Sequence, residues 1–321
     1  MITLIGIVTF GNLPFTKLTV GEIARNEWAL LAAGELNLFV IVGKPGDHET
    51  AHWLEEQGIA YLLHHVNKGF PASLNDIFDY AWGSKIKSKN GEGGYDNVIL
   101  CGNDVVPYPG AIEALIDCAA TTDWEWICSS QCDARTLVNL YPQTREFFAG
   151  DALVFTDFRA RPWDAHAPVV AATAAGIEAH QFKDVQNLCL YKRSVFEQLG
   201  YFDANFWPNG YFSDNDFARR AVNAGLKGCG LPHSQYFHFW SRTIHQGEAR
   251  ENDKYFQRNG RFYMMKWGSG FGQETNKLPF GGSPLMLCPQ RFGCKAVTLP
   301  GSLKIPDRQD EAGIIEYWSK L

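Results

Sequence analysis

Val98-Ile99-Leu100-Cys101-Gly102-Asn103-Asp104-Val105-Val106-Pro107 decides how the rest of the chain is read. An apolar run of this length suits a strand covered on both faces, and its Gly-Asn-Asp end marks the carboxyl edge of a sheet. Outward from it the same unit repeats. Upstream, residues 2–9, 38–42 and 59–63 form further apolar runs. Between them lie amphipathic stretches with Ile23, Trp28, Leu30 and Leu31, and then Trp53 and Leu54. Leu74, Ile77, Phe78 and Ala81 share one face of a helix predicted to begin at Ser73. Downstream, Pro109-Gly110 opens a helix over 111–119. Strands alternating with helices predict βαβ units and a largely parallel sheet, whose ligands bind beyond the carboxyl ends of the strands. The loops after Thr9, Val42, Leu63 and Cys101 are therefore where chemistry is expected.

The second half is richer in aromatics and shorter segments. It offers a run over 182–191, the turn Gly200-Tyr201-Phe202-Asp203, a helix over 216–224 and strand-like runs over 227–231 and 235–240. From about Gly268 the chain is Gly- and Pro-rich and is expected to wrap the domain surface as a tail.

The 321 residues are 45% hydrophobic and 20% charged, which excludes a disordered tail, a coiled coil or a collagen-like fibre. A formal charge of -6 supplies no overall field for nucleic acid. No apolar run reaches the roughly 18 residues of a membrane span. The apolar start lacks a basic stretch and a cleavage site, so it reads as a first strand, and the expected compartment is cytoplasmic. Peripheral membrane association is the alternative. Eight scattered cysteines with no CxxC pair read as thiols in a reducing compartment, with Cys288 and Cys294 the one candidate disulfide or metal pair.

Four constellations can carry chemistry. Asp104, at the end of its strand, suits a hard cation that takes carboxylate and phosphate oxygens, and it equally suits a turn former. Ser213-Asp214-Asn215-Asp216 stands at a helix entrance, where one acid can cap and the other can act as a general base. His238, within Tyr236-Phe237-His238-Phe239-Trp240, is either a packed core residue or a ligand for Mn2+. Asn67-Lys68-Gly69-Phe70-Pro71 enters a helix and allows close approach of a phosphate. It lacks the P-loop spacing, and no GxGxxG occurs, which argues against a dinucleotide-binding dehydrogenase.

The order of these pieces over roughly residues 2–245 resembles the family 2 glycosyltransferases of the GT-A fold. The match runs from Val8-Thr9 through the Asn-x-Gly loop, Asn75, Asn103-Asp104 and 108–115 to Gly200-Tyr201-Phe202-Asp203, Ser213-Asp214-Asn215-Asp216 and His238. Lys266-Trp267-Gly268 looks like a segment found in some of these enzymes. The resemblance implies a Rossmann-like α/β fold with an open mixed, mostly parallel sheet. Residues 1–267 would form the transferase domain, with a nucleotide-binding half (1–120) and an acceptor-side half (121–267), followed by an extension over 268–321. It implies a metal-assisted, inverting transfer of a hexosyl or pentosyl group from a nucleotide sugar. Asp104 would be the second acid of the metal motif and His238 its later partner, holding Mn2+ or Mg2+. Asp214 would be the general base. Thr9, Asp47, Asn67, Gly69, Asn75 and Asn103 would surround the donor, and Trp207, Tyr211, Asp216 and Trp240 the acceptor.

Two departures stand out. Gly102 occupies the place of the first metal acid, and the usual base-reading aspartate after the second strand is missing, with Asp47 the nearest substitute. The expected acceptor is a glycan or glycolipid. Two alternatives are a modified base in DNA, for which the basic stretch after His238 is the only support, and an inactive sugar- or nucleotide-binding module.

Overall fold

The computed structural model describes residues 1–83, 94–151, 153–169, 177–239, 249–283, 301–305 and 312. Cys288 and Cys294 lie outside them, as does Trp240. The strands are β1 (Thr3–Thr9), β2 (Leu36–Val42), β3 (Ala60–Leu63), β4 (Asn97–Gly102), β5 (Val105–Pro107), β6 (Trp126–Asp133), β7 (Phe148–Ala149), β8 (Val154–Phe155), β9 (His180–Gln181), β10 (Leu188–Lys192) and β11 (Gly228–His238). The helices are α1 (Leu13–Asn26), α2 (Trp28–Ala32), α3 (His48–Glu56), α4 (Phe70–Trp82), α5 (Ala111–Thr121), α6 (Ala134–Leu140), α7 (Arg193–Leu199), α8 (Ser213–Asn223) and α9 (Ala249–Trp267).

The main sheet runs β3-β2-β1-β4-β10-β6-β11-β5, with β9 paired to β11. The pairs β3/β2, β2/β1, β1/β4 and β6/β11 are parallel. Strand β10 enters antiparallel between β4 and β6, which makes the sheet mixed. Its Leu188, Cys189, Leu190 and Tyr191 are fully buried, so both faces of the inserted strand are covered. Alternation in the sequence shows that strands exist there, but it carries no information on direction.

Three boundaries differ from the expected ones. Helix α4 begins at Phe70 because Pro71 fits the first turn, where no N–H is needed. Helix α8 begins at Ser213, which brings both acids into its first turn. The two runs expected after residue 227 form one strand, β11, whose register shifts between Leu231 and Gln235 across Pro232.

Helix α4 lies directly on β1, where a Cβ at Gly6 would stand 2.2 Å from Ile77 Cγ2. The layers are closed by apolar side chains on both faces of the sheet, including Phe39, Phe78, Trp126 and Tyr191 on one and Ile5, Val40, Ile112 and Ile127 on the other. Of the tail, Phe280 packs on Phe262, and Ile305 is fully buried with its N–H donated to Leu199 O at 3.0 Å.

Beneath the turn at 200–203 lies a buried ionic network. Lys266 Nζ stands 2.8 Å from Asp203 Oδ2 and 2.7 Å from Asp216 Oδ1, and Arg220 Nε donates to Asp216 Oδ2 at 3.0 Å. All four side chains are inaccessible to solvent. The arginine's other nitrogens donate to Leu199 O and Tyr201 O, so the network ties α8 and α9 to the 199–203 segment.

Candidate functional site

A cleft of about 740 Å³ opens at the carboxyl ends of β1, β2 and β4. Its lining includes Phe10 after β1, Gly43 and Lys44 after β2, and Gly102, Asn103 and Asp104 after β4. The opposite wall comes from the start of α4, the 207–215 segment and α9.

Strand β5 explains why Asp104 and His238 meet. After the turn at 103–104 the chain pairs antiparallel with β11, and Val105 comes opposite His238. His238 Nε2 then stands 3.3 Å from Asp104 Oδ1, with both side chains mostly buried. His238 Nδ1 has an acceptor, Gln131 Oε1 at 3.1 Å, and a donor, Asn187 Nδ2 at 3.3 Å. The ring can therefore present Nε2 to Asp104 as an N–H or as a lone pair. In the lone-pair form two acceptors face each other, and a cation between them satisfies both. No cluster of three or more His, Cys, Asp or Glu side chains is placed for a metal among the described residues. A carboxylate and an imidazole still fit Mn2+ if water and phosphate oxygens complete the sphere. Gly102 adds no ligand, and a Cβ there would stand 3.4 Å from Asp104 Oδ1.

Asp214 stands in the first turn of α8 and lines the same cleft. Its Oδ1 accepts the Asn215 N–H at 2.9 Å. Asp214 is solvent-exposed as a whole residue, while the cleft walls crowd its carboxylate. Desolvation, opposed by the Asn215 N–H and aided by nearby Asp184, pushes it up to about 6. A ligand that displaces the cleft water strengthens that push.

Aromatic rings line the same cleft as Asp214. Trp207 packs edge-on to Tyr255 with centroids 6.0 Å apart, and Tyr211 edge-on to Phe256 at 5.2 Å. Gly69 makes this packing possible. Its φ of 80° is in the left-handed region, and a Cβ there would stand 2.4 Å from Trp207 Cδ1. Asn67 holds the turn, with Oδ1 accepting the Gly69 N–H at 2.9 Å and its carbonyl accepting from Trp207 Nε1 at 3.3 Å.

The cleft thus gathers Asp104, His238, Asp214, Asn67, Gly69, Asn103, Trp207 and Tyr211. Four other residues expected at the site do not line it. Thr9 is buried, bonded to Thr16 and accepting from Asn103 Nδ2, so it supports Asn103 from behind. Asn75 spends its amide on the Phe202 backbone, at 2.8 and 3.0 Å, and locks α4 to the 200–203 turn. Asp47 caps α3, with its two oxygens on the Thr50 N–H and hydroxyl. Asp216 is consumed by Lys266, Arg220 and Trp267, whose Nε1 donates to it at 2.9 Å, so it faces the core and not an acceptor. Short polar residues near a strand end read alike in sequence whether they face a ligand or the protein.

The sequence reading missed Lys44, Phe10, Gln131 and Asn187. Lys44 stands where Asp47 was expected. It forms no ion pair among the described residues, and its stem lies across Gly11, where a Cβ would stand 2.5 Å from Lys44 Cδ. Its place directly after β2 was the available signal. Nothing local marks Gln131 and Asn187, which reach His238 through strand pairing.

No family model matches the chain, and no curated protein matches its sequence. Solved structures do. One is the mannosyltransferase PcManGT from Pyrobaculum calidifontis in complex with GDP-Man and Mn2+, at 14% identity and a TM-score of 0.49, covering 76% of this chain and 59% of that one. Another is GalNAc-T7 with UDP, GalNAc and Mn2+, at 11% identity and a TM-score of 0.52, covering 83% of this chain and 49% of that one. The chain thus spans between half and three-fifths of the length of these structures. The likeness to the second shows that the mixed, mostly parallel sheet and its helices have the GT-A glycosyltransferase fold.

Proposed function

We propose that the protein transfers a hexosyl or pentosyl group from a nucleotide-sugar donor to a hydroxyl of a glycan or glycolipid, with inversion at the anomeric carbon. The observation that carries this reading is the meeting, in one cleft, of Asp104 and His238 with the separate carboxylate of Asp214, poised at about 6. GalNAc-T7, which shares the fold, is a structure with UDP, GalNAc and Mn2+, and this supports the assignment of donor class and metal.

In the proposed reaction Asp214 takes the acceptor proton as the acceptor oxygen bonds to the anomeric carbon. The bond from that carbon to the diphosphate breaks, and its electron pair leaves on the phosphate oxygen. A divalent cation held by Asp104 and His238 would neutralise the departing diphosphate. Gln131 and Asn187 fix the imidazole, as residues behind a metal ligand commonly do. The aromatic wall offers apolar faces for sugar rings. Lys44 adds a positive charge at the β1/β2 end of the cleft.

A thermal-shift and calorimetry panel of UDP, GDP, dTDP and CMP, with and without Mn2+, tests the reading. Native-state binding raises the melting temperature by mass action, so at least one nucleotide is expected to stabilise the protein in a Mn2+-dependent way. No stabilisation by any of them sinks the proposal. The missing acid at Gly102 favours a second reading, a module that binds the donor without transferring it. Nucleotide release from the bound donor distinguishes the two, because a pure binder releases none.

A further inference from the structure

The carboxylate of Asp184 belongs neither to the metal pair nor to the cleft lining, yet it is built into the support of Asp214. It lies in the segment just before β10, where its Oδ1 accepts the Val185 N–H at 2.8 Å and Asn215 Nδ2 at 3.4 Å. Its carbonyl accepts from Cys128 Sγ on β6 at 3.4 Å. Asn215 is therefore a two-ended link. Its side chain reaches Asp184, and its backbone N–H donates to Asp214 Oδ1 at 2.9 Å.

We infer that Asp184 is a positioning residue for Asp214, acting through Asn215 and through its own negative charge. Asp184 keeps Asn215 turned toward the 182–187 segment, which orients the first turn of α8 and with it Asp214. Its charge also disfavours a second charge on Asp214, so the neighbouring acid comes to hold its proton nearer neutrality. Both carboxyls are raised, Asp184 chiefly by burial. Tyr191 of β10 also faces Asp214, but its phenol is held well above its usual range by burial and stays neutral. Asp216, two residues along the helix, is turned away and neutralised by Lys266 and Arg220. Asp184 is thus the charged neighbour whose Coulombic push on Asp214 adds to the larger one from burial.

The inference rests on Asp214 acting as the base, and its test is independent of the donor's identity. Protein carrying carbon-13 at aspartate carboxyls is titrated by NMR, with the Asp214 signal assigned by its loss in Asp214→Asn. The midpoint is expected at about 6 in the parent. It should fall by roughly half a unit in Asp184→Asn, which keeps the acceptor oxygen and removes the charge. The acidic limb of the pH–rate profile should move by the same amount. A purely structural role for Asp184 would alter melting temperature and leave both midpoints in place, and that outcome overturns the inference. If Asp184→Asn does not fold, Asn215→Ala removes the side-chain tie to Asp184 while keeping the backbone N–H, and kcat is expected to fall there; a kcat equal to the parent's overturns the positioning role. An Asp214→Asn variant that keeps full turnover defeats the catalytic reading itself. A dead Asp214→Asn with an unmoved Asp184→Asn midpoint removes only the role of Asp184.

Discussion

Asp214→Asn separates a base from a helix cap more cleanly than any other single change. The substitution keeps shape and the Asn215 N–H contact but cannot accept the acceptor proton. With Asp214 titrating at about 6, roughly nine-tenths of the parent is ionised at pH 7 and roughly one-tenth at pH 5. Parent kcat/KM should therefore fall about tenfold from pH 7 to pH 5, and the variant should lose about 10² to 10⁴ in rate across that range. Donor binding should be unchanged, because in the proposed reaction Asp214 contacts the acceptor hydroxyl and not the diphosphate. The assay follows nucleotide release or sugar transfer at fixed Mn2+ from pH 4.5 to 8, with nucleotide affinity measured alongside by calorimetry. A parent profile flat between pH 5 and 7, or a variant turning over within tenfold of the parent, refutes the assignment.

Asp104→Ala should abolish Mn2+-dependent nucleotide binding in calorimetry with little change in melting temperature, whereas His238→Ala should weaken it less, since a neutral ligand neutralises less charge than a carboxylate. Asp216→Asn, a mild change if that acid merely oriented an acceptor, should instead cost about 3 to 5 kcal/mol in urea unfolding, because it leaves Lys266 and Arg220 buried without a full counter-charge. Burial beneath α5, with Glu113 nearby, pushes Glu27 from 4.5 up to about 7 despite the Ile112 N–H it accepts. The folded state therefore prefers Glu27 protonated, so this stabilisation is complete below pH 4.5 and is lost as pH rises through about 7. Glu27→Gln should flatten that loss, worth roughly 3 kcal/mol, and should melt above the parent at pH 8 but not at pH 5.

The sequence by itself determined the strand-and-helix succession of the first half, because buried strands write continuous apolar runs and amphipathic helices write a 3.6-residue period. It also placed Asp104 at a sheet's carboxyl edge and Asp214 at a helix entrance, since both positions follow from local patterns of a few residues. Local pattern alone left open which of two neighbouring acids faces a ligand, and the resemblance turned both toward one. Asp214 and Asp216 are both first-turn carboxylates, and only the packing of α9 decides between them. Lys266 and Trp267 arrive from about fifty residues away and draw Asp216 into the core. In the same way Asp47 and Asn75 carry the right chemistry at plausible places, yet each is taken up by the Thr50 cap or the Phe202 backbone. The meeting of Asp104 with His238, implied by the resemblance, has no local signal of its own. It depends on β5 leaving β4 and pairing with β11, a contact between residues more than a hundred apart in the chain. Period and turn chemistry are local properties, so sequence reports them. Strand direction, register and the destination of a charged side chain are set by what packs against it, so only the tertiary structure decides them.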